Sequence, residues 1–327
     1  MSALYAWQQK DWSILASYFQ QQRIPQALLL AGQAGLGQES LARVFVQALL
    51  CHQRQATEHA CGQCQACRLF DAETHPDFFV VAPEEGVKTI SVDTMRSLMA
   101  KLTLKPQYSA HRVVLIQPAD AMNANAYNAF LKYLEEPTER TVLLLLTAQP
   151  YKLPATILSR CQTLHVSTPA PSEALAWLKQ QKPILSETQA SQLLLLAQQA
   201  PLLALDYAEQ DVLNQREQCF KEWLALARQQ AHPVMIAEKW LKLSDESLLS
   251  WLNSWLSDLI KCKFQLASDY LCNKDLNKSL RELSSRLELK DLYPLYDLVL
   301  DSKQRLATTV NKQCLLEELL IRWTQIN

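Results

Sequence analysis

The sequence predicts an α/β module, a parallel sheet with helices on both faces, followed by an entirely helical remainder. Three observations carry that prediction. First, the short apolar runs QALLLAG, DFFVVAP, HRVVLIQ and TVLLLLTA alternate with the helix-like stretches ESLARVFVQALLC, SVDTMRSLMAKLTL and NANAYNAFLKYLEE. Continuous apolar strands separated by helices are the pattern of a sheet buried on both sides. Second, the 327 residues hold only 5 glycines, and none follows Gly86, so the later chain lacks the tight positive-φ turns that a β-rich half needs. Third, long amphipathic segments fill that later chain: QREQCFKEWLALARQQ, VMIAEKWLKL, ESLLSWLNSWLSDLIKCKFQL and KQCLLEELLIRW. In the third of these, Leu248, Leu252, Trp255, Leu256, Leu259 and Ile260 recur at helical spacing and form one broad apolar face. That face, with its tryptophans, reads as core packing.

These elements divide the chain into an α/β domain over 1–166, a small helical lid over 167–207 and a helical bundle over 208–327. The proline-marked stretch VSTPAPSE reads as the linker into the lid, with Ser172 as its helix cap. Hydrophobic residues at 49% and charged ones at 20% are those of a soluble globular protein. A net charge of −1 gives no basic excess of the kind that grips nucleic acid unaided. The start MSALYAWQQKDW has no basic stretch leading into an apolar one, so a cytoplasmic location is expected.

Four of the 9 cysteines, Cys51, Cys61, Cys64 and Cys67, cluster with nine, two and two residues between them. Cys-x-x-Cys lets two thiolates meet one tetrahedral ion, Cys67 extends the knuckle, and Cys51 closes the set across a polar loop. Four soft thiolates with no open position suit a single structural Zn²⁺. His52, His59 and His75 lie near enough to replace one ligand. The remaining cysteines, Cys161, Cys219, Cys262, Cys272 and Cys314, sit in mainly apolar surroundings and read as buried thiols.

The segment GQAGLGQES joins the first strand to the first long helix of the sheet, in the position of a phosphate-binding loop. Gly32, Gly35 and Gly37 preserve its shape. The two residues that such a loop needs at its end, a Lys for the phosphates and a Ser or Thr for Mg²⁺, are here Gln38 and Glu39. Gln38 carries no charge, and Glu39 brings a carboxylate towards phosphate oxygens. The strand RVVLIQPAD repeats the loss. Gln117 and Pro118 stand where an Asp and a catalytic Glu belong, and Asp120 comes three places late. Without these four groups, ATP hydrolysis by this chain is not expected. Thr147 closes a strand, and Ser159, Arg160 and Cys161 follow a short helix-like run. A lone arginine there is commonly a surface ion-pair residue.

The ordered set RIPQALLLAGQAGLG, the four-cysteine insertion, HPDFFVVAP, NAFLKYLEEP and LPATILSRC resembles the bacterial clamp-loader branch of the AAA+ family. The match is close over the first domain, moderate over the lid and loose beyond it. The resemblance implies an AAA+ module, a lid and a collar bundle. It further implies membership of a hetero-pentameric ring with clamp-loader ATPase subunits and a delta subunit, within the DNA polymerase III holoenzyme. That ring opens the sliding clamp and places it on primed DNA. By the same resemblance, Arg160, within the Ser159–Arg160–Cys161 motif, is an arginine finger for a neighbouring subunit's ATP site. Thr147 matches a sensor of the γ-phosphate, Leu202 falls where a second sensor arginine belongs, and the four cysteines match the family's zinc knuckle. Ala148 and Gln149 replace the Thr-Asp favoured by hydrolysing relatives. Two other functions remain open on the sequence. One is an unusual active P-loop ATPase or phosphotransferase, which needs a cation in place of Gln38. The other is a zinc-dependent nucleic-acid adaptor, although Arg54 and Arg68 are the only basic residues around the knuckle.

Overall fold

Alternate residues of each central strand enter two separate cores, and this divides the first half of the molecule into three layers. In the computed structural model, which describes residues 4–54, 57–102, 106, 108, 111–136, 138, 140–306 and 310–326, the strands are β1 (Ala27–Ala31), β2 (Phe78–Val81), β3 (Arg112–Ile116), β4 (Thr141–Thr147) and β5 (Gln162–His165). All pair in parallel, in the order β2-β3-β4-β1-β5. Leu28 and Leu30 of β1, Val113 and Leu115 of β3 and Leu144 of β4 pack with α1 (Gln9–Gln20) and α2 (Gln38–Leu50). After α3 (Gln65–Asp71) and β2 comes α4 (Val92–Leu102), which with α5 (Ala124–Glu135) and α6 (Ala155–Leu158) covers the opposite face. There Leu29, Val114, Ile116, Leu143 and Leu145 meet Met95, Phe130 and Ile157. The fold class expected from the sequence is the one observed.

Three short helices follow: α7 (Pro171–Gln181), α8 (Glu187–Leu196) and α9 (Pro201–Glu209). Ser172 does not cap the first of them. Pro171 occupies the first helical position, where its missing N–H costs nothing, and Ala170 precedes it as the cap residue, so Ser172 lies inside the helix. The last two residues of the expected helix SVDTMRSLMAKLTL lie outside the described residues.

The chain separates into two compact units, Met1–Gln210 and Asp211–Asn327. The second holds α10 (Val212–Ala227), α11 (Pro233–Trp240), α12 (Asp245–Lys263), α13 (Asn277–Arg286), α14 (Leu289–Arg305) and α15 (Lys312–Gln325). The stripe expected on α12 is buried from Leu248 through Leu259, with Ile260 at its margin. The tryptophans pack as expected. Trp223 stacks on Trp323 with ring centres 3.9 Å apart and meets Trp255 at 5.4 Å. The Trp323 indole donates to the Trp223 carbonyl, so burial of the ring leaves its N–H satisfied. Among the described residues, no helix is long and apolar enough to cross a membrane.

The β1–α2 turn is held by close approach on two sides. Gly35 and Gly37 both have positive φ, at 87° and 84°. A Cβ on Gly35 would lie 2.6 Å from the backbone nitrogen of Leu203 in α9, and one on Gly37 would lie 2.8 Å from the Gln8 side chain. Gly86 also has positive φ, yet nothing lies within 4 Å of its Cβ position. Gly35→Ala is therefore expected to destabilise the first unit by more than about 2 kcal/mol, adding a clash to the left-handed penalty, whereas Gly86→Ala should cost about 1 kcal/mol. Denaturant unfolding followed by circular dichroism distinguishes the two.

Candidate functional site

The glycine-rich loop lies at the carboxyl end of the sheet, between β1 and α2, where an α/β fold places its ligands. Gln38, at the first position of α2, does not face outward. Its amide donates to the carbonyls of Gly32 at 2.5 Å and Gln33 at 2.7 Å, closing the loop on itself. Glu39 pairs with Arg43 one helical turn on, at 2.9 Å, and Arg43 also reaches Glu73 at 3.3 Å. The loop carbonyls of Leu36 and Gly37 are taken by side chains from the N-terminal turn. Trp7 donates its indole N–H to Leu36, and the fully buried Gln8 donates its amide to both Leu36 and Gly37, at 3.0 and 2.8 Å. Tyr5 stacks on Trp7 at 4.7 Å, and Trp177 of α7 closes edge-on over both rings. From α9, Leu202 donates its backbone N–H to the Gly35 carbonyl at 3.1 Å, and the Gln33 amide reaches the Ala197 carbonyl just after α8 at 2.8 Å.

A shallow open cleft remains beside the loop, lined by Ala34, Gln38, Glu39, Gln117, Pro118 and Thr147. Its threonine is also turned inward. The buried Thr147 hydroxyl donates to Asp120 at 2.5 Å and accepts the Gln149 N–H at 2.9 Å. The carboxylate that stands late in sequence thus meets the strand-end threonine directly. Burial, with Asp120 nearby, pushes the Tyr127 hydroxyl up to about 12, so this phenol stays protonated and donates to the Ala119 carbonyl. Among the described residues, no lysine or arginine lines this cleft, so nothing cationic there answers a polyphosphate.

Arg160 lies at the other end of the sheet. It precedes β5, whose residue Gln162 pairs with Leu28, while His165 pairs with Ala31 just before the loop. The five residues of β1 therefore separate the arginine from the chain's own loop, about 16 Å of strand. Arg160 donates to the Thr156 carbonyl at 3.1 Å and pairs with Glu135, the last residue of α5, at 2.7 Å. Its Nη1 lies 3.4 Å from the Ser159 hydroxyl. Cys161 is half-buried under the second core, and burial pushes its thiol up to about 11.

The cysteine cluster forms a third centre. Cys51 ends α2, Cys61 and Cys64 lie on the following loop, and Cys67 lies in the first turn of α3, so both flanking helices aim ligands at one point. The Sγ atoms of Cys51 and Cys61 lie 3.5 Å apart, those of Cys51 and Cys64 3.9 Å, those of Cys61 and Cys67 4.0 Å and those of Cys64 and Cys67 3.5 Å. Sulfurs about 2.3 Å from one tetrahedral ion stand about 3.8 Å from each other, so the donor set fits such an ion. Backbone N–H groups of Gln53 and Cys61 point at Cys51 Sγ, and that of Cys64 points at Cys61 Sγ, each at 3.3 Å. Donors from Gln63 and Cys64 hold the Cys61 thiol down to about 6, favouring the thiolate that binds metal. Burial pushes Cys51 and Cys67 upward. The histidines face elsewhere: His52 contacts the Tyr108 carbonyl, His59 stacks on Trp12 and His75 accepts from the Asp77 N–H. Among the described residues, the four cysteines are the one group placed to hold a metal ion. The other cysteines correct an expectation. Cys219 and Cys262 are buried, but Cys272 and Cys314 are exposed, because Cys272 lies in the connection between α12 and α13 and Cys314 lies outside the buried face of α15.

Comparison with known proteins places the chain in a family. A family model described as "DNA polymerase III, delta subunit" matches residues 7–170, and one for the C-terminal part of that subunit matches residues 210–325. The DNA polymerase III subunit delta' of Pseudomonas aeruginosa is 36% identical over 100% of this chain and 99% of its own length. The chain belongs to the DNA polymerase III delta-prime family. The delta-prime subunit of Escherichia coli is 30% identical, covering 97% of this chain and 94% of its own. A DNA polymerase III gamma-subunit-related protein from Thermotoga maritima aligns over 96% of this chain and 98% of its own, with a TM-score of 0.43 and 16% identity.

In this delta-prime chain, sequence reasoning named the loop, the strand-end threonine, the arginine and the four cysteines, but not Trp7, Gln8 or Glu135. Trp7 and Gln8 precede any recognisable motif and carry no signal of their own. Glu135 closes the run NAFLKYLEEP, whose paired acids mark a helix end without saying what they face. Replacing Cys64 by Ser is expected to lower bound metal from about one ion per chain to none, as measured by elemental mass spectrometry. Acidification should release the ion from the unaltered chain, since protons compete for the thiolates.

Proposed function

We propose that this delta-prime family member is a non-hydrolysing subunit of a clamp-loader ring that places Arg160 in the ATP site of a neighbouring ATPase subunit. In this reading the ring contains clamp-loader ATPase subunits and a delta subunit. It loads the sliding clamp on primed DNA in the cytoplasm, as part of the polymerase holoenzyme. The observation that carries the reading is the position of Arg160 at the end of the sheet remote from the chain's own loop, which supports service to a site outside this chain. The loop supports it from the other side, since Gln38 and Thr147 are engaged internally and, among the described residues, no cation lines the cleft. A guanidinium inserted beside a transferring phosphoryl group neutralises charge that builds in the transition state.

The first domain, 1–166, then serves as an AAA+ module without its own chemistry, 167–207 as its lid and 208–327 as the collar through which the ring assembles. The lid's contact with Gly35 gives the damaged loop a structural use. Zn²⁺ held by Cys51, Cys61, Cys64 and Cys67 would act only as a staple, because four thiolates leave no open coordination position.

In a loader reconstituted with its ATPase subunits, Arg160→Ala is expected to leave assembly intact. Hydrolysis at the one site it serves should fall by about 10³-fold or more, measured as single-turnover ATP cleavage. The isolated chain should turn over no ATP. Unchanged cleavage in the Arg160→Ala ring would overturn the role.

A further inference from the structure

We propose that Glu135 is a positioning residue that parks Arg160 on this chain until a phosphate-bearing ligand competes for the guanidinium. The inference rests on the trans-acting role of Arg160 given above and adds a control on when that role begins. The contacts of Arg160 fall into two kinds. Nη1 donates to the Thr156 carbonyl and approaches the Ser159 hydroxyl, both in the arginine's own turn, so these contacts move with it. Nη2 reaches Glu135 at 2.7 Å, across from the end of α5. Of the contacts described, only this one ties the guanidinium to another element.

Three features suit the Glu135 contact to holding the arginine and then releasing it. The pair is open to solvent, with 37% of the arginine side chain and 53% of the glutamate exposed, and such pairs shift an equilibrium by about five-fold at most. The chain also contains a counterexample. Arg112 and Asp77 face each other almost without exposure, at 3% and 0%, a setting in which loss of either partner strands a buried charge and exchange is forbidden. Next, Glu135 sits at the carboxyl end of α5, where the helix dipole already disfavours an anion, so the carboxylate needs a cation in place. Finally, Arg160 borders an open cleft with Pro25, Gln26 and Gln162, which leaves room for an incoming group. A polyphosphate offers more charge and two oxygens in the geometry that a guanidinium fork matches, so it competes for the guanidinium with a single exposed carboxylate oxygen.

Parking lowers the fraction of rings in which the arginine is available, and the observed rate falls by that fraction. In the reconstituted loader without DNA, Glu135→Gln is expected to raise kcat for ATP hydrolysis about two- to five-fold with KM unchanged. Glu135→Ala should act alike, and Glu135→Asp should return towards the parent rate. Matching thermal melts and equal ring assembly verify folding. The gain should vanish in Glu135→Gln/Arg160→Ala rings, which should match Arg160→Ala alone. If Arg160→Ala slows cleavage but Glu135→Gln and Glu135→Ala both equal the parent, parking is overturned while the trans role stands. Parking is overturned likewise if the Glu135→Gln gain persists without Arg160. If Arg160→Ala has no effect, the trans role fails and parking fails with it.

Discussion

The parallel pairing of β1 with both of its neighbours is the constraint on which the rest of the molecule depends. Leu28 pairs with Gln162 and Ala31 with His165 on one side, and Ala27 pairs with Leu143 and Ala31 with Thr147 on the other. With every strand running the same way, residues that follow strands gather at one end of the sheet and residues that precede them gather at the other. The glycine loop, Gln117 and Thr147 therefore share the first end. Arg160 stands at the second, beside the residues that lead into β1. An antiparallel β5 would bring the arginine to the loop and make it a candidate for chemistry within the chain. The parallel one separates the two.

At the loop end, Gln38, Glu39 and Thr147 are satisfied within the protein itself, while the buried Gln117 side-chain oxygen has no hydrogen-bond partner among the described residues. Gln38 bonds to the loop carbonyls, Glu39 to Arg43 and Thr147 to Asp120, while Trp7 and Gln8 take the carbonyls of Leu36 and Gly37. A buried polar group left without a partner is costly, so these internal contacts stabilise the loop. The glycines persist for a reason separate from phosphate. Gly35 and Gly37 let the N-terminal turn and α9 approach the loop backbone more closely than any side chain allows. The loop is a junction between the sheet, the N-terminal turn and the helices α8 and α9.

Much of this was legible in the sequence, and what was not has identifiable causes. The strands β1, β3 and β4 read clearly because burial on both faces demands unbroken apolar runs. Edge strand β5 was missed because three of its four residues are exposed, so QTLH carries neither a continuous nor an alternating apolar signal. Helices α13 and α14 were not singled out either. The first is strongly polar with a narrow apolar stripe, and the second contains Pro294, which reads as a break. The cysteine cluster was legible because three of its four ligands are nearly contiguous. The exposure of Cys272 and Cys314 was not, since apolar neighbours along the chain do not say that Cys272 falls in the connection between α12 and α13, nor which side of α15 carries Cys314 to water.

The sequence by itself determined the fold class, the helical second half, the four-thiol cluster and the absence of a phosphate-binding lysine. Each is a matter of local spacing or of residue chemistry, and none needs a distant partner. Tertiary structure alone decided which groups meet across long separations. Trp7 and Gln8 reach a loop 28 or 29 residues away, Asp120 reaches Thr147, and Glu135 reaches Arg160 over 25 residues. Such contacts depend on strand order and direction, which the order of residues does not display. Arg160 was visible as an arginine in the sequence; its distance from its own loop and its hold on Glu135 became visible only once the sheet was assembled.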